Sequence, residues 1–133
     1  MDFESYRKAG VSLGSGALLI CDTRTCVVDL AKVLMQFFRF ESCGKCTPCR
    51  IGTQRMYELL EGITQGTGRL EDLDEMRRLI EPMEMLSNCV LGASAGVRVR
   101  AVLLHFQEEV EAHIRLGVCP AGVCRMEKAL VPA

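Results

Sequence analysis

The sequence predicts a mainly α-helical protein, a small up-down four-helix bundle preceded by a short strand-like N-terminal segment. Four stretches carry apolar residues at helical spacing, and the connections between them are short, which favours antiparallel neighbours. The 133 residues are 49% apolar and 25% charged, a balance typical of one globular domain. We expect an N-terminal extension at residues 1–25, the bundle at residues 26–116 and a cysteine-containing tail at residues 117–133.

The extension begins with a polar stretch and contains one apolar run. Gly14-Ser15-Gly16 predicts a turn, and residues 17–20 are strand-like by their length and by the glycines before them. Periodicity alone does not distinguish such a short run from a loop.

The first two bundle helices are predicted from their apolar stripes and their ends. The first covers about residues 26–38, and its stripe consists of Val27, Leu30, Ala31, Leu34, Phe37 and Phe38. The second begins near Thr47-Pro48, because threonine is a good N-cap and proline is tolerated in the first turn. This helix ends at Gly66, and its stripe consists of Ile51, Met56, Leu59, Leu60 and Ile63.

The last two helices follow from the same spacing. The third covers about residues 70–86, and Pro82 is expected to kink or shorten it. Its stripe consists of Leu73, Met76, Leu79, Ile80 and Met83. The fourth covers about residues 97–115, with a stripe of Val99, Val102, Leu103, Phe106, Val110 and Ile114.

Eight cysteines are the unusual feature of the composition. They indicate either disulfides in a secreted protein or metal ligands in a reducing compartment. The N-terminus has no positively charged start followed by an apolar run, so we expect metal ligation in the cytoplasm. The net charge of −1 gives no indication of nucleic-acid binding, and no apolar stretch is long enough for membrane insertion.

Three cysteines lie in one short segment. Cys43, Cys46 and Cys49 follow one another in C-x2-C-x2-C steps, a spacing that presents three thiolates to one [4Fe–4S] cluster. The fourth iron needs a remote ligand, and Cys89 lies in the connection that shares this end of an up-down bundle. The sequence therefore predicts an electron-carrying cluster held by these four cysteines.

The neighbouring residues suit such a cluster. Gly44 allows the backbone to approach it, and the positive charges of Lys45 and Arg50 are expected to raise its reduction potential. Three other interpretations remain open, namely structural zinc on the same four thiolates, purely structural cysteines and a thioredoxin-like dithiol at Cys43 and Cys46. Helical flanks and a third cysteine one turn later disfavour the dithiol.

A resemblance to a known family rests on three stretches of sequence. They are residues 14–20 with 26–29, residues 41–53 and residues 119–124. By these stretches the chain resembles the C-terminal iron–sulfur domain of the NADH-binding flavoprotein subunit of complex I, and especially the versions in NAD-linked hydrogenases and formate dehydrogenases. The resemblance implies a helical bundle whose [4Fe–4S] cluster takes single electrons from a flavin.

The sequence also departs from that family. We find neither its glycine-rich flavin- and NADH-binding domain nor its ubiquitin-like and ferredoxin domains. We therefore expect the chain to bind neither NADH nor FMN alone. The resemblance implies partners in a larger oxidoreductase complex, namely a flavin/NAD(P)H-binding subunit and a ferredoxin-like subunit. Met1 favours a separate small subunit over an excised domain.

A second set of metal-ligating residues lies near the ends of the predicted bundle. The start of the first helix and the end of the fourth share one end of an up-down bundle, opposite the cluster. Cys26, His113, Cys119 and Cys124 are therefore candidates for a Cys3His zinc site. Free or packed thiols and a second iron–sulfur cluster remain alternatives.

Three functional hypotheses follow. The first is a redox-relay subunit or domain with no bond-making chemistry of its own. The second is a metal-stabilised scaffold that docks redox partners without carrying electrons. The third is a thiol–disulfide enzyme built on Cys43 and Cys46. Cys21 is the least expected ligand among the remaining cysteines, and His105 is assigned no role.

Overall fold

The structure, a computed structural model, describes residues 2–10, 13–14 and 16–126. In this part of the chain lie six α-helices, α1 to α6, and a π-helical turn. They are α1 Phe3–Lys8, α2 Val27–Glu41, α3 Thr47–Gln65, α4 Leu70–Leu86, α5 Val90–His105, α6 Gln107–Glu111 and the π-helical turn Ala112–Leu116. The described residues contain no β-strand, and the predicted mainly α-helical class is confirmed.

Helices α2 to α5 form the bundle. Helix α2 packs against α3 and α5, α4 packs against α3 and α5, and α3 also contacts α5. Four methionines are almost fully buried at its centre, namely Met35, Met56, Met76 and Met83. Their unbranched side chains fill the irregular space between four helices. The division of the chain into extension, bundle and tail stays a prediction.

The N-terminal extension differs from expectation. Asp2 caps the short α1, which the sequence analysis did not predict, by accepting a 2.9 Å hydrogen bond from the Ser5 N–H. Residues 17–20 form no strand, because the described residues offer them no ladder partner. Ser15 of the predicted turn and residues 127–133 of the predicted tail lie outside the described residues.

Helices α3 and α4 lie where the sequence places them. Gly66 ends α3 in a left-handed conformation with φ 83°, which glycine adopts without strain. The N-cap of α3 is Cys46 rather than Thr47. Helix α4 continues through Pro82 to Leu86, so shortening at this proline was wrong. Pro82 is exposed, and water can satisfy the carbonyl that loses its N–H partner.

The predicted fourth helix was wrong in extent. Helix α5 already begins at Val90, and a break at Phe106 separates it from α6 and the π-helical turn. The first turns of α5 contain Gly92 and Gly96, which weaken helix propensity and carry no apolar signal. Those glycines let α5 approach its neighbours, since a Cβ on Gly96 would lie 3.1 Å from the Ile80 carbonyl oxygen.

The buried face of α2 is rotated from the predicted stripe, whereas α3 buries its predicted stripe except for Ile51. Phe37 is 55% exposed and Ile51 is 53% exposed, although both were expected in the core. The buried line of α2 consists of Val28, Ala31, Met35 and Phe38. No helix in the described ranges is long and apolar enough to cross a membrane.

Candidate metal centres

One end of the bundle carries two short connections with four cysteines. Cys46 is the N-cap of α3 and Cys89 is the N-cap of α5, and neither side chain makes a capping hydrogen bond. Cys49 follows in the first turn of α3 and is only 4% exposed, whereas Cys43 and Cys89 are exposed. Two helix N-termini therefore face this end, where their free N–H groups favour anionic sulfur.

The two connections contact each other. The backbone N–H dipole of Asn88, and then that of Cys49, holds the pKa of the Cys46 thiol below its usual value. On the other side of Cys89, Gly92 packs against α3. A Cβ on Gly92 would lie 2.9 Å from Cys49 Cβ and would overlap the Ser87 hydroxyl. Residues on both sides of Cys89 thus touch the cysteine segment of α3.

The cysteine loop is held by hydrogen bonds of its own. Gly44 has a φ of 74°, and its N–H donates to Ser42 Oγ at 3.3 Å. The same oxygen lies 3.3 Å from Cys49 Sγ. Arg50 reaches back from α3, and its Nη1 donates to the Gly44 carbonyl oxygen at 2.5 Å. Arg50 therefore fixes the loop in addition to bringing positive charge, and Lys45 lies exposed beside it.

These features fit a [4Fe–4S] cluster. The four thiols are free rather than paired in disulfides. Ser87 Oγ is buried next to Gly92 and has no hydrogen-bond partner among the described residues, so a cofactor bearing acceptor atoms would satisfy it. The N-cap thiol of Cys89 makes no capping hydrogen bond to the backbone of α5, so its sulfur is free to act as a ligand.

A second set of ligand atoms converges at the start of α2. The ligand atoms of Cys26, His113, Cys119 and Cys124 all lie within 4.8 Å of one another, and no other such group occurs in the described part of the chain. Cys26 Sγ lies 3.3 Å from His113 Nε2 and 3.6 Å from Cys124 Sγ. Cys26 is the N-cap of α2, and Cys119 and Cys124 follow the π-helical turn.

Glu109 orients the histidine of this set. The Nδ1–H of His113 donates to the Glu109 carbonyl oxygen at 2.8 Å, which leaves Nε2 free to act as a ligand. The carboxylate of Glu109 accepts the N–H of Val27 at 2.8 Å, in the first turn of α2. Glu109 thus joins α6 to the start of α2 and aims the imidazole, which is 1% exposed, at Cys26.

The pKa values of the three thiols in the second set differ strongly from one another. Burial raises the pKa of Cys26 to about 11. Burial and the hydrogen bond to Cys26 raise the pKa of Cys124 as well. Burial alone would also raise the pKa of Cys119, but N–H groups of Cys124 and Val123 outweigh it and lower this pKa to about 6. Three thiolates can share this pocket only beside a positive charge, which a divalent cation supplies.

Comparison with known proteins agrees with this architecture. Residues 29–113 match the family model of the NADH-ubiquinone oxidoreductase-F iron-sulfur binding region. The chain is 40% identical over 124 residues to the NADP-reducing hydrogenase subunit HndC of Solidesulfovibrio fructosivorans, a match that covers 93% of this chain and 25% of that protein. It is 42% identical over 120 residues to an NADH-quinone oxidoreductase subunit of Rhizobium meliloti strain 1021, covering 90% and 28% respectively.

A solved structure shows the same fold. The crystal structure of an NAD+-reducing [NiFe]-hydrogenase in the H2-reduced state matches with a TM-score of 0.68 and 39% sequence identity, over 71% of this chain and 16% of that chain. The fold and the matched region define an iron–sulfur binding domain. The chain belongs to the NADH-ubiquinone oxidoreductase-F iron-sulfur binding region family, whose cofactor is a [4Fe–4S] cluster. It spans about a quarter of the length of the curated relatives named above.

Sequence reasoning missed several residues that shape the two sites. Ser42, Asn88 and Gly92 lie against the cysteines of the first site, Ser87 lies against Gly92, and Glu109 orients the histidine of the second site. Glu109 precedes His113 by four residues, a helical spacing that brings a carbonyl to an imidazole nitrogen. The serines carried no comparable signal, because a hydroxyl near a cysteine in sequence is common.

Proposed function

We propose that this domain relays single electrons through a [4Fe–4S] cluster held by Cys43, Cys46, Cys49 and Cys89. The observation that carries the proposal is the close packing of the two connections, in which a Cβ on Gly92, three residues after Cys89, would lie 2.9 Å from Cys49 Cβ. This packing supports a site shared by Cys89 and the three-cysteine segment. When bound, the cluster supplies one-electron redox chemistry.

The chain's own residues position and shield the cofactor. Cys49 is buried beneath α5, and the N-termini of α3 and α5 stabilise negative charge at this end of the bundle. Cys43 and Cys89 are exposed, so one edge of the site is open to a neighbouring redox partner. Electron entry and exit are therefore expected at this surface.

The partners we propose are a flavin/NAD(P)H-binding subunit and a ferredoxin-like subunit of a larger oxidoreductase complex. The names of the relatives describe subunits of NADP-reducing hydrogenase and of NADH-quinone oxidoreductase, which supports this class of assembly. The free thiols suit a reducing compartment, so we propose that the protein is cytoplasmic.

We propose a structural zinc ion at Cys26, His113, Cys119 and Cys124. Three thiols and one imidazole form a common structural zinc set, and their mutual distances suit one ion. Three of these residues, Cys26, Cys119 and Cys124, lie outside the family-matched residues 29–113. This centre favours, as a second candidate function, a scaffold whose metals only hold the fold and dock partners.

One experiment separates relay from scaffold. The protein is purified anaerobically with its partners, and iron, sulfide and zinc are measured together with EPR of the reduced sample. The relay predicts four irons per chain and an S = 1/2 signal of a reduced cubane, whereas the scaffold predicts a colourless zinc protein.

A ligand variant tests the assignment of the cluster residues. Cys89→Ser should weaken or convert the EPR signal, whereas Cys21→Ser, which changes an exposed cysteine outside both sets, should leave it unchanged. An intact cubane signal in Cys89→Ser would mean that the fourth ligand lies elsewhere.

A further inference from the structure

We propose that the hydroxyl groups of Ser42 and Ser87 donate hydrogen bonds to the sulfur shell of the cluster and raise its reduction potential. The inference rests on the proposed ligation by Cys49, since both serines lie beside that residue. They would be positioning residues, which act on the cluster through hydrogen bonds and exchange no electrons themselves.

Ser42 already has the geometry of a donor to Cys49. Its Oγ accepts the Gly44 N–H at 3.3 Å and lies 3.3 Å from Cys49 Sγ. A thiolate has no proton to donate, so the hydroxyl hydrogen of Ser42 must point towards the sulfur once Cys49 is ionised. Hydrogen bonds to charged sulfur extend to such distances, and Cys49 is buried, where water does not compete.

The hydroxyl group of Ser87 is a buried hydrogen-bond donor that is not paired with an acceptor within the described ranges. Its Oγ is inaccessible to solvent and has no hydrogen-bond partner in the part of the chain that the structure describes. It lies against Gly92 in the first turn of α5, at the place where α5 also meets Cys49 Cβ. Buried hydroxyl groups without a partner are rare, and each calls for an explanation. An acceptor sulfur of a bound cluster next to Cys49 would supply the missing partner.

The direction of the effect follows from charge. One-electron reduction makes the cluster and its thiolates more negative, so every hydrogen bond donated to sulfur becomes stronger in the reduced state. Loss of a donor therefore favours the oxidised state. We expect each serine to change the oxidised-to-reduced equilibrium by up to about tenfold, which is about 59 mV for a one-electron couple.

The test is a redox titration of the complete protein, monitored by EPR, in Ser42→Ala, Ser87→Ala and the double variant. Each alanine should lower the midpoint potential, and the double variant should lower it further. Ser42→Thr keeps a hydroxyl and should retain most of the wild-type value. Exchangeable proton couplings, measured by electron–nuclear double resonance in D2O, should decrease with each alanine.

A matched control removes a hydroxyl group that bonds the backbone of Cys49 rather than its sulfur. Thr53 Oγ1 donates to the Cys49 carbonyl oxygen at 2.7 Å, so Thr53→Val perturbs the same residue without removing a donor to sulfur. Its potential should stay near that of the wild type. Alanine variants with full iron and sulfide content but unchanged potentials would overturn the inference and leave the proposed function intact. A wild-type protein without a cluster would overturn the proposed function itself.

Discussion

His113 Nε2 lies 3.3 Å from Cys26 Sγ, although 87 residues separate the two in the chain. The contact joins the first residue before α2 to the π-helical turn that follows α6. It closes the bundle at the end opposite the three-cysteine loop. The two proposed metal centres therefore occupy opposite ends of the same helices, and either set of ligands can be changed without touching the other.

We expect His113→Ala to abolish zinc binding and to destabilise the fold by more than about 2 kcal/mol, because a buried ligand and its hydrogen bond are lost together. The measurement is zinc content per chain together with thermal unfolding. His105→Ala is the control, since His105 is exposed at the end of α5. An unchanged zinc stoichiometry in His113→Ala would exclude this histidine as a ligand.

The metal-free protein should gain stability as the pH rises from about 6 to 9. The pKa of Cys119 is lowered from 9.0 to about 6 in the fold. Between these two values the unfolded chain binds more protons than the folded chain, so the free energy of unfolding rises with pH. The stabilisation is complete above pH 9 and disappears as the pH falls through 6. Chemical denaturation after chelation measures it, and Cys119→Ser should flatten this part of the profile.

Above pH 9 the trend should reverse. Burial raises the pKa of Cys26 from 9.0 to about 11, so the folded state holds its proton longer than the unfolded chain does. This contribution is complete below pH 9 and is lost as the pH rises through 11. Cys26→Ser should reduce the decline in the same denaturation series, and the raised pKa of Cys124 accounts for a part that remains. An unchanged decline in this variant would contradict the raised pKa of Cys26.

Gly92→Ala should disrupt the cluster end of the bundle. The added Cβ would lie 2.9 Å from Cys49 Cβ and overlap Ser87, so α5 must move away from α3, at a cost of about 1–3 kcal/mol. Iron content and the EPR signal should fall together with the unfolding temperature. Gly62→Ala is a control in α3, since its Cβ would meet only Thr67 Oγ1 at 3.3 Å. Equal cluster content in both variants would contradict the close packing.

Arg50→Gln should accelerate loss of the cluster. Arg50 Nη1 donates to the Gly44 carbonyl oxygen, and its removal frees the loop that carries Cys43. Lys45→Gln is the matched control, because it removes the same charge from the same segment at an exposed position. Bleaching of the visible absorbance under a chelator should be several-fold faster for Arg50→Gln alone. Similar rates for both variants would assign the effect to charge.

The sequence predicts much of the fold because its signals are local. The ends of α3 and α4 follow from Pro48, Gly66 and the helical spacing of apolar residues. The start of helix α5 was predicted too late because its first turns contain small residues, which carry no apolar periodicity. These residues allow close packing against neighbouring helices. Phe37 and Ile51 were predicted to lie in the core but are exposed. The spacing of apolar residues shows that a helix is amphipathic, but it defines less well which side of the helix faces the core.

By itself the sequence determined the helical class, the family resemblance and the two groups of candidate ligands, because cysteine spacing and chain order do not depend on packing. Only the tertiary structure decided which atoms meet. It brings Asn88 to Cys46, Gly92 to Cys49 and Glu109 to His113. These pairs depend on the distance between the packed helices and on the rotation of each helix about its axis. Small residues and buried hydrogen bonds determine both, and neither produces a periodic pattern in the sequence.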